Sequence, residues 1–316
     1  MSVPRYGELM SRWTGRSFAL AVCVGLLAGV LAGCTSNSGP SPQPSSFALT
    51  PVLVSTEIVV GRNRMLFNVL ASSDNRSVAS PDRPLELRFF DLAANQSQAV
   101  IETSATYTPT IEGRPGLYRA IVNLDRAGEW GVEAIATEAD GSKRSGRMAF
   151  SVRESGTTPA LGAAAIASNT PTASTPAAIA AISTDTAPDP DFYRQSVAGA
   201  LAAHEPFALI FATPAFCTSA TCGPTLDVVK TAANPFKGRM DFIHVEPYEL
   251  ESVDGHLRPV LSPDNLPISV AATTEWGLPT EPYIFVVDTN GKVTAKFEGI
   301  ASADELSAAF GQVAAN

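Results

Sequence analysis

The chain holds 316 residues, 45% of them hydrophobic and 17% charged, which excludes a wholly disordered polypeptide and supplies apolar material for two domains of ordinary size. Its 22 Lys and Arg stand against 31 Asp and Glu, a net charge of −9 that argues against nucleic acid as a partner. The 23 glycines and 24 prolines favour short strands, turns and linkers over helical bundles.

At the start of the chain, Arg5, Arg12 and Arg16 oppose one acid, Glu8, and an apolar run from Phe18 to Val30 follows. A charged stretch followed by an apolar one has the pattern of a signal peptide, and the run falls short of the about 20 apolar residues that a spanning helix needs. It ends in Leu31-Ala32-Gly33-Cys34, which resembles the lipobox of bacterial lipoproteins. The resemblance implies that residues 1–33 are removed, that Cys34 takes diacylglycerol on its sulfur, and that the protein is lipid-anchored to a bacterial membrane on its extracytoplasmic side. A plain secretory signal or an uncleaved anchor is the alternative. Loss of residues 1–33 leaves a net charge of −11. Attachment then rests on acyl chains at Cys34 rather than on attraction to anionic lipid. Residues 34–46, rich in Ser and Pro, read as a polar tether.

From 47 to 154 the apolar pattern has period two. Tyr118, Ala120, Val122 and Leu124 share one face, as do Trp130, Val132 and Ala134, and Met148, Phe150 and Val152. With further runs at 51–60, 64–71 and 85–92, this predicts about seven half-buried strands in an all-β, immunoglobulin-like sandwich. The stretch from Gly116-Leu117-Tyr118 to Gly128-Glu129-Trp130 resembles the small exported YtkA-like or FixH-like β domains. This segment contains neither Cys nor His, so support or docking is its expected role.

Residues 155–188 are dominated by Ala, Thr, Ser and Pro, with little charge and no aromatic side chain, which predicts a flexible linker. After it, Asp189-Pro190 opens a predicted helix through Ala203. Strands follow at 207–211 and 240–245, with a helix between them over 224–233. A short helix near 268–276 precedes a strand at 283–287, an Asn290-Gly291 turn and a strand over 292–297. A final helix begins at the capping box Ser302-Ala303-Asp304-Glu305. The predicted segment 189–316 is α/β.

Phe211-Ala212-Thr213-Pro214-Ala215-Phe216-Cys217, Trp276-Gly277-Leu278-Pro279-Thr280-Glu281-Pro282 and Val287-Asp288-Thr289-Asn290-Gly291 resemble, in order, motifs of the thioredoxin superfamily. The resemblance implies a thioredoxin-like fold, a cis-proline at Pro282, a peptide held by the loop at Glu281 and Pro282, and a redox-active pair at Cys217 and Cys222. It departs from the family in the spacing, Cys-x4-Cys rather than Cys-x-x-Cys, and in placing Ile210 where the family has a buried acid. Thr213-Pro214 with Cys217 and Cys222 also resembles the peroxidatic box of bacterioferritin-comigratory peroxiredoxins, in a shifted register.

Residues five apart on a regular helix rise about 7.5 Å, too far for a disulfide, so 218–221 must form a turn if the two sulfurs are to meet. In an oxidising compartment they are expected to pair. A thiolate at the N-terminus of the following helix is stabilised by free N–H groups. These features predict a thiol-disulfide oxidoreductase acting on protein thiols or disulfides of the cell envelope, with Cys217 and Cys222 catalytic and no cofactor or metal. The alternative is a noncatalytic binding or copper-delivery module with a structural disulfide. In a copper site one of His204, His244 or His256 would join the sulfurs, although His244 on a predicted strand also suits a core. Glu246, Glu249, Glu251 and Asp254 fall in an insertion over 246–267 that reads as a solvated loop.

Overall fold

The computed structural model describes residues 48–111 and 113–315. Cys34, the signal peptide over 1–33 and the tether over 34–46 lie outside the described residues. The described residues form one compact unit, with no division within 155–188.

The N-terminal region is all-β and antiparallel: β1 (Leu49–Leu53), β2 (Gly61–Ala71), β3 (Leu85–Asp91), β4 (Ile101–Thr108), β5 (Leu117–Leu124), β6 (Gly128–Thr137) and β7 (Lys143–Val152). Hydrogen bonding runs through all seven in the order β1-β2-β5-β4-β3-β6-β7. β4 joins the two leaves: Ile101 to Ala105 pair with β3, and Thr106 to Thr108 pair with β5. A strand that changes partners midway joins two leaves into one curled sheet, in keeping with the all-β region expected from the sequence. The alternation read from the sequence sets the interior. Tyr118, Ala120, Val122 and Leu124 are buried, and they pack with Phe67, Phe89, Trp130 and Phe150. Trp130 donates its ring N–H to the Arg126 carbonyl at 3.1 Å, which fixes it as a core residue.

Residues 155–188 do not form a flexible linker. They run as a strap over the C-terminal region. Gly162 N–H donates to the Val293 carbonyl at 2.7 Å and Ala165 N–H to Gly291 at 2.8 Å, while Val293 N–H returns a bond to Ala163 at 3.0 Å. Trp276 Nε1 donates to Ser168 Oγ at 3.1 Å. A short helix, α1 (Pro176–Ala180), is capped by Thr175 and buries Ile179. The small side chains that suggested disorder allow close approach, and the backbone polar groups find partners in the strands beneath.

The predicted helix over 190–203 is interrupted. A 3-10 turn spans Pro190–Tyr193, and α2 (Val197–Ala203) starts anew at the Ser196 cap. Then come β8 (Phe207–Phe211), α3 (Cys222–Ala233), β9 (Asp241–Val245), a hairpin of β10 (Leu250–Val253) and β11 (His256–Pro259), α4 (Ala271–Glu275), β12 (Tyr283–Val287), β13 (Val293–Glu298) and α5 (Ala303–Ala314). The main sheet has the order β13-β12-β8-β9, with β8 and β9 parallel and the other pairs antiparallel. Both faces are covered. Ala208 and Ile210 pack with residues of α3 and α5. Phe207, Leu209 and Phe211 pack with residues of α2 and with Trp276. That double burial explains the unbroken apolar runs of β8 and β12. The capping box forms: Ser302 Oγ accepts from Glu305 N–H, and the Glu305 carboxylate accepts from Ser302 N–H.

The two regions are bound by charged groups. Arg64 Nε meets Glu305 Oε1 at 2.8 Å, and its Nη2 donates to the Ile300 carbonyl at 2.7 Å. Arg119 Nε lies 3.2 Å from the same Glu305 oxygen. Glu57 accepts from Lys296 Nζ at 2.8 Å and from Thr157 N–H at 2.6 Å. Among the described residues, no helix is long and apolar enough to cross a membrane.

Candidate functional site

β8 ends at Phe211, and the chain makes two tight turns before α3. Cys217 N–H donates to the Thr213 carbonyl at 3.1 Å, and Ala220 N–H donates to Cys217 at 3.1 Å. Ala220 lies in the left-handed region, φ 58°, which turns the chain back so that Cys222 becomes the first residue of α3. The helix therefore starts two residues before Pro224, the first helical position expected from the sequence, and Pro224 still sits in the first turn where its missing N–H costs nothing. Residues 218–221 are a turn, as the spacing demands.

No disulfide joins Cys217 and Cys222 in this structure, which differs from the pairing expected from the sequence. Their environments differ. Cys217 is partly exposed, and its sulfur lies 3.1 Å from Ser219 Oγ. The Cys222 thiol, Ser219 and the backbone N–H groups at the start of α3 hold Cys217 down at about 4, the first of these being the strongest. Cys222 is fully buried, and its hydrogen bond to Cys217 together with burial pushes its thiol up. The two sulfurs share one proton: thiolate at Cys217, thiol at Cys222.

Glu281 completes the cluster. One donor atom from each of Cys217, Cys222 and Glu281 lies within 4.8 Å of the others. The Glu281–Pro282 peptide is cis, and Pro282 is buried immediately before β12. Tyr248 donates to Glu281 Oε2 at 3.0 Å. Burial raises the Glu281 carboxyl, and the Cys217 thiolate pushes in the same direction. The sequence places Glu281 in a substrate-binding loop and gives no sign of it as a donor beside the sulfurs. It gives no sign of Tyr248 at all, because an insertion rich in Pro and Glu carries no periodicity that would aim one side chain.

Among the described residues, no histidine joins the sulfurs in this cluster. His244 is buried in β9 with both ring nitrogens engaged, Nε2 with the Ala212 carbonyl at 2.9 Å and Nδ1 with Tyr193 Oη at 2.8 Å. Burial lowers its pKa, which keeps the ring neutral. His204 ends α2 in the left-handed region, and His256 begins β11 as an exposed residue. The insertion also departs from a solvated loop. Residues 250–259 form the β10-β11 hairpin, and Glu246 is buried. A separate cavity of about 260 Å³ lies where the two regions meet, and neither Cys217 nor Cys222 lines it.

No family model matches the chain, and no curated protein does. Several solved structures are similar to about a third of the chain. CopC from Methylosinus trichosporium OB3b is 14% identical, covers 33% of this chain and 94% of its own, and gives a TM-score of 0.21. The PmoD soluble domain from Methylocystis sp. ATCC 49242 (Rockwell) is 17% identical over 34% of this chain and 92% of its own, TM-score 0.22. Superoxide reductase (neelaredoxin) from Ignicoccus hospitalis is 17% identical over 33% of this chain and 80% of its own, TM-score 0.21. Neither a family model nor a curated protein supports the assignment to a thioredoxin-like domain joined to a YtkA-like or FixH-like β domain, and that assignment is corrected. The motifs behind it describe local conformation: a strand exit, a cis-proline, and the turn in which Gly291 N–H donates to the Asp288 carbonyl at 2.9 Å. Such features do not specify a family.

Proposed function

We propose that this protein is a noncatalytic module of the bacterial cell envelope that holds Cu(I) between Cys217 and Cys222, with Glu281 as a third, harder donor. One observation carries the reading: three donor atoms from separate elements lie within 4.8 Å of one another, and one of them is already a thiolate. Thiolates are soft ligands that favour Cu(I) over hard cations. Loading displaces the proton left on Cys222, so affinity rises with pH. Lipid at Cys34 and an extracytoplasmic location belong to the same proposal and rest on the amino-acid sequence, whereas protein thiols or disulfides are the partners of the second reading below.

An anaerobic competition titration of the reduced full chain with Cu(I) tests it. One ion per chain is expected, with affinity falling at least about 100-fold in Cys217→Ser or Cys222→Ser, or about 2.7 kcal/mol. Unchanged weak uptake in the double variant removes the metal reading.

The difference between the two thiols favours a second reading, thiol-disulfide exchange. The Cys217 thiolate would attack a substrate disulfide, expelling one thiolate and forming a mixed disulfide. Cys222, on losing its proton, would attack Cys217 Sγ, close the Cys217–Cys222 bond and release the second thiolate, passing two electrons to the substrate. Insulin reduction that is lost in Cys217→Ser supports this reading. An equal rate in that variant excludes it.

A further inference from the structure

We propose a second site, for an aliphatic primary ammonium group, in the cleft between the strap and the insertion, with the Glu246 carboxylate as its counter-charge. The cleft measures about 200 Å³, and its walls include Pro171, Ala181, Ile182, Leu250 and Val270. Glu246 lines it and is 5% exposed. Its Oε1 accepts from Thr184 N–H and Thr184 Oγ1, both at 2.6 Å. Its Oε2 is buried and accepts no hydrogen bond among the described residues.

A buried carboxylate oxygen without a donor carries a desolvation penalty that a cationic donor relieves. The protein's own candidates are engaged elsewhere. Lys230 Nζ is held by Asp185 and Asp227, each at 2.8 Å, and both ring nitrogens of His244 are occupied. A ligand that fits must bring a strong N–H donor for the oxygen and methylenes for the apolar walls. An alkylammonium has both, whether it is a free amine or the lysine side chain of a polypeptide. A bare metal ion would leave the walls uncovered. The site does not depend on copper binding, although Tyr248 lines the cleft and also donates to Glu281, so an occupied cleft is one residue away from the sulfurs.

Calorimetric titration of the full chain with n-butylammonium, with n-butanol as the neutral control, tests the site. Saturable binding of the ammonium and none of the alcohol is expected, with at least about tenfold weaker binding in Glu246→Gln, the loss of one charge-assisted bond. Ala181→Trp, which fills the mouth and leaves the carboxylate intact, should weaken binding as much. Nα-acetyl-lysine methylamide separates the two sources: equal or tighter binding marks a polypeptide lysine, and binding of butylammonium alone marks a free amine. No saturable binding to the unmodified chain, or undiminished binding to Glu246→Gln with its near-ultraviolet dichroism intact, overturns the proposal.

Discussion

The partition of one proton between two sulfurs is set by position rather than by residue type. Cys217 and Cys222 are identical thiols, yet one meets the N–H groups that open α3 and the other is sealed in the core. The sign of the resulting pH dependence follows from linkage. A group depressed from 9.0 to about 4 contributes stability that is present above its unfolded pKa and is lost as pH falls through its folded one. Between pH 9 and pH 4, stability relative to Cys217→Ser should therefore decline with acid, as denaturant titrations at several pH values would read. A constant difference would contradict the assignment. Thiolate absorbance should likewise titrate far below the ordinary cysteine range, and a midpoint near the free-thiol value would refute it. The pair itself is legible in the sequence, because four cysteines are few and two lie five apart. The third donor is not, because Glu281 lies 59 residues after Cys222 and only the tertiary fold brings it to the sulfurs. The histidines mislead: an imidazole suits a soft-metal site in composition, but His244 uses both nitrogens inside the core.

Elements with strong local signals are readable from the chain. The capping box at Ser302, the apolar run of β8 and the alternation of β5 each fix an element by interactions within a few residues. Ser302→Ala should cost about 1 kcal/mol of stability, measured by urea unfolding, through the loss of one cap. A cost near zero would mean that the N-terminus of α5 is held by its contacts with Arg64 and Arg119 instead. The strap escapes such reading because its composition reports what it cannot bury, not what it can bond. Its hydrogen bonds to Gly291, Val293 and Trp276 join residues far apart in sequence. Residues 155–188 should accordingly resist limited proteolysis under native conditions. Rapid cleavage there, with both fragments remaining folded, would restore the linker reading.

For the molecule as a whole, the charged seam unites the β region with the α/β region. Glu57 is drawn down to about 2: Lys296 and Thr158 stabilise its charge against the opposing effect of burial. Its contribution is present above its ordinary value of 4.5 and is lost as pH falls through about 2. Glu57→Gln should destabilise the protein by about 2–3 kcal/mol at neutral pH, because it leaves Lys296 without its carboxylate. The unmodified chain should unfold in a single calorimetric transition, and two separate transitions would show independent domains. This seam is invisible in the sequence, since Arg64 and Glu305 sit at opposite ends of the described chain and only the fold brings them together. The central claim, a soft ion held by two sulfurs, is tested most directly by the X-ray absorption spectrum of the reduced, Cu(I)-loaded protein. Two sulfur scatterers per copper, lost in the Cys217→Ser, Cys222→Ser double variant, are predicted. A first shell of nitrogen and oxygen alone would contradict it.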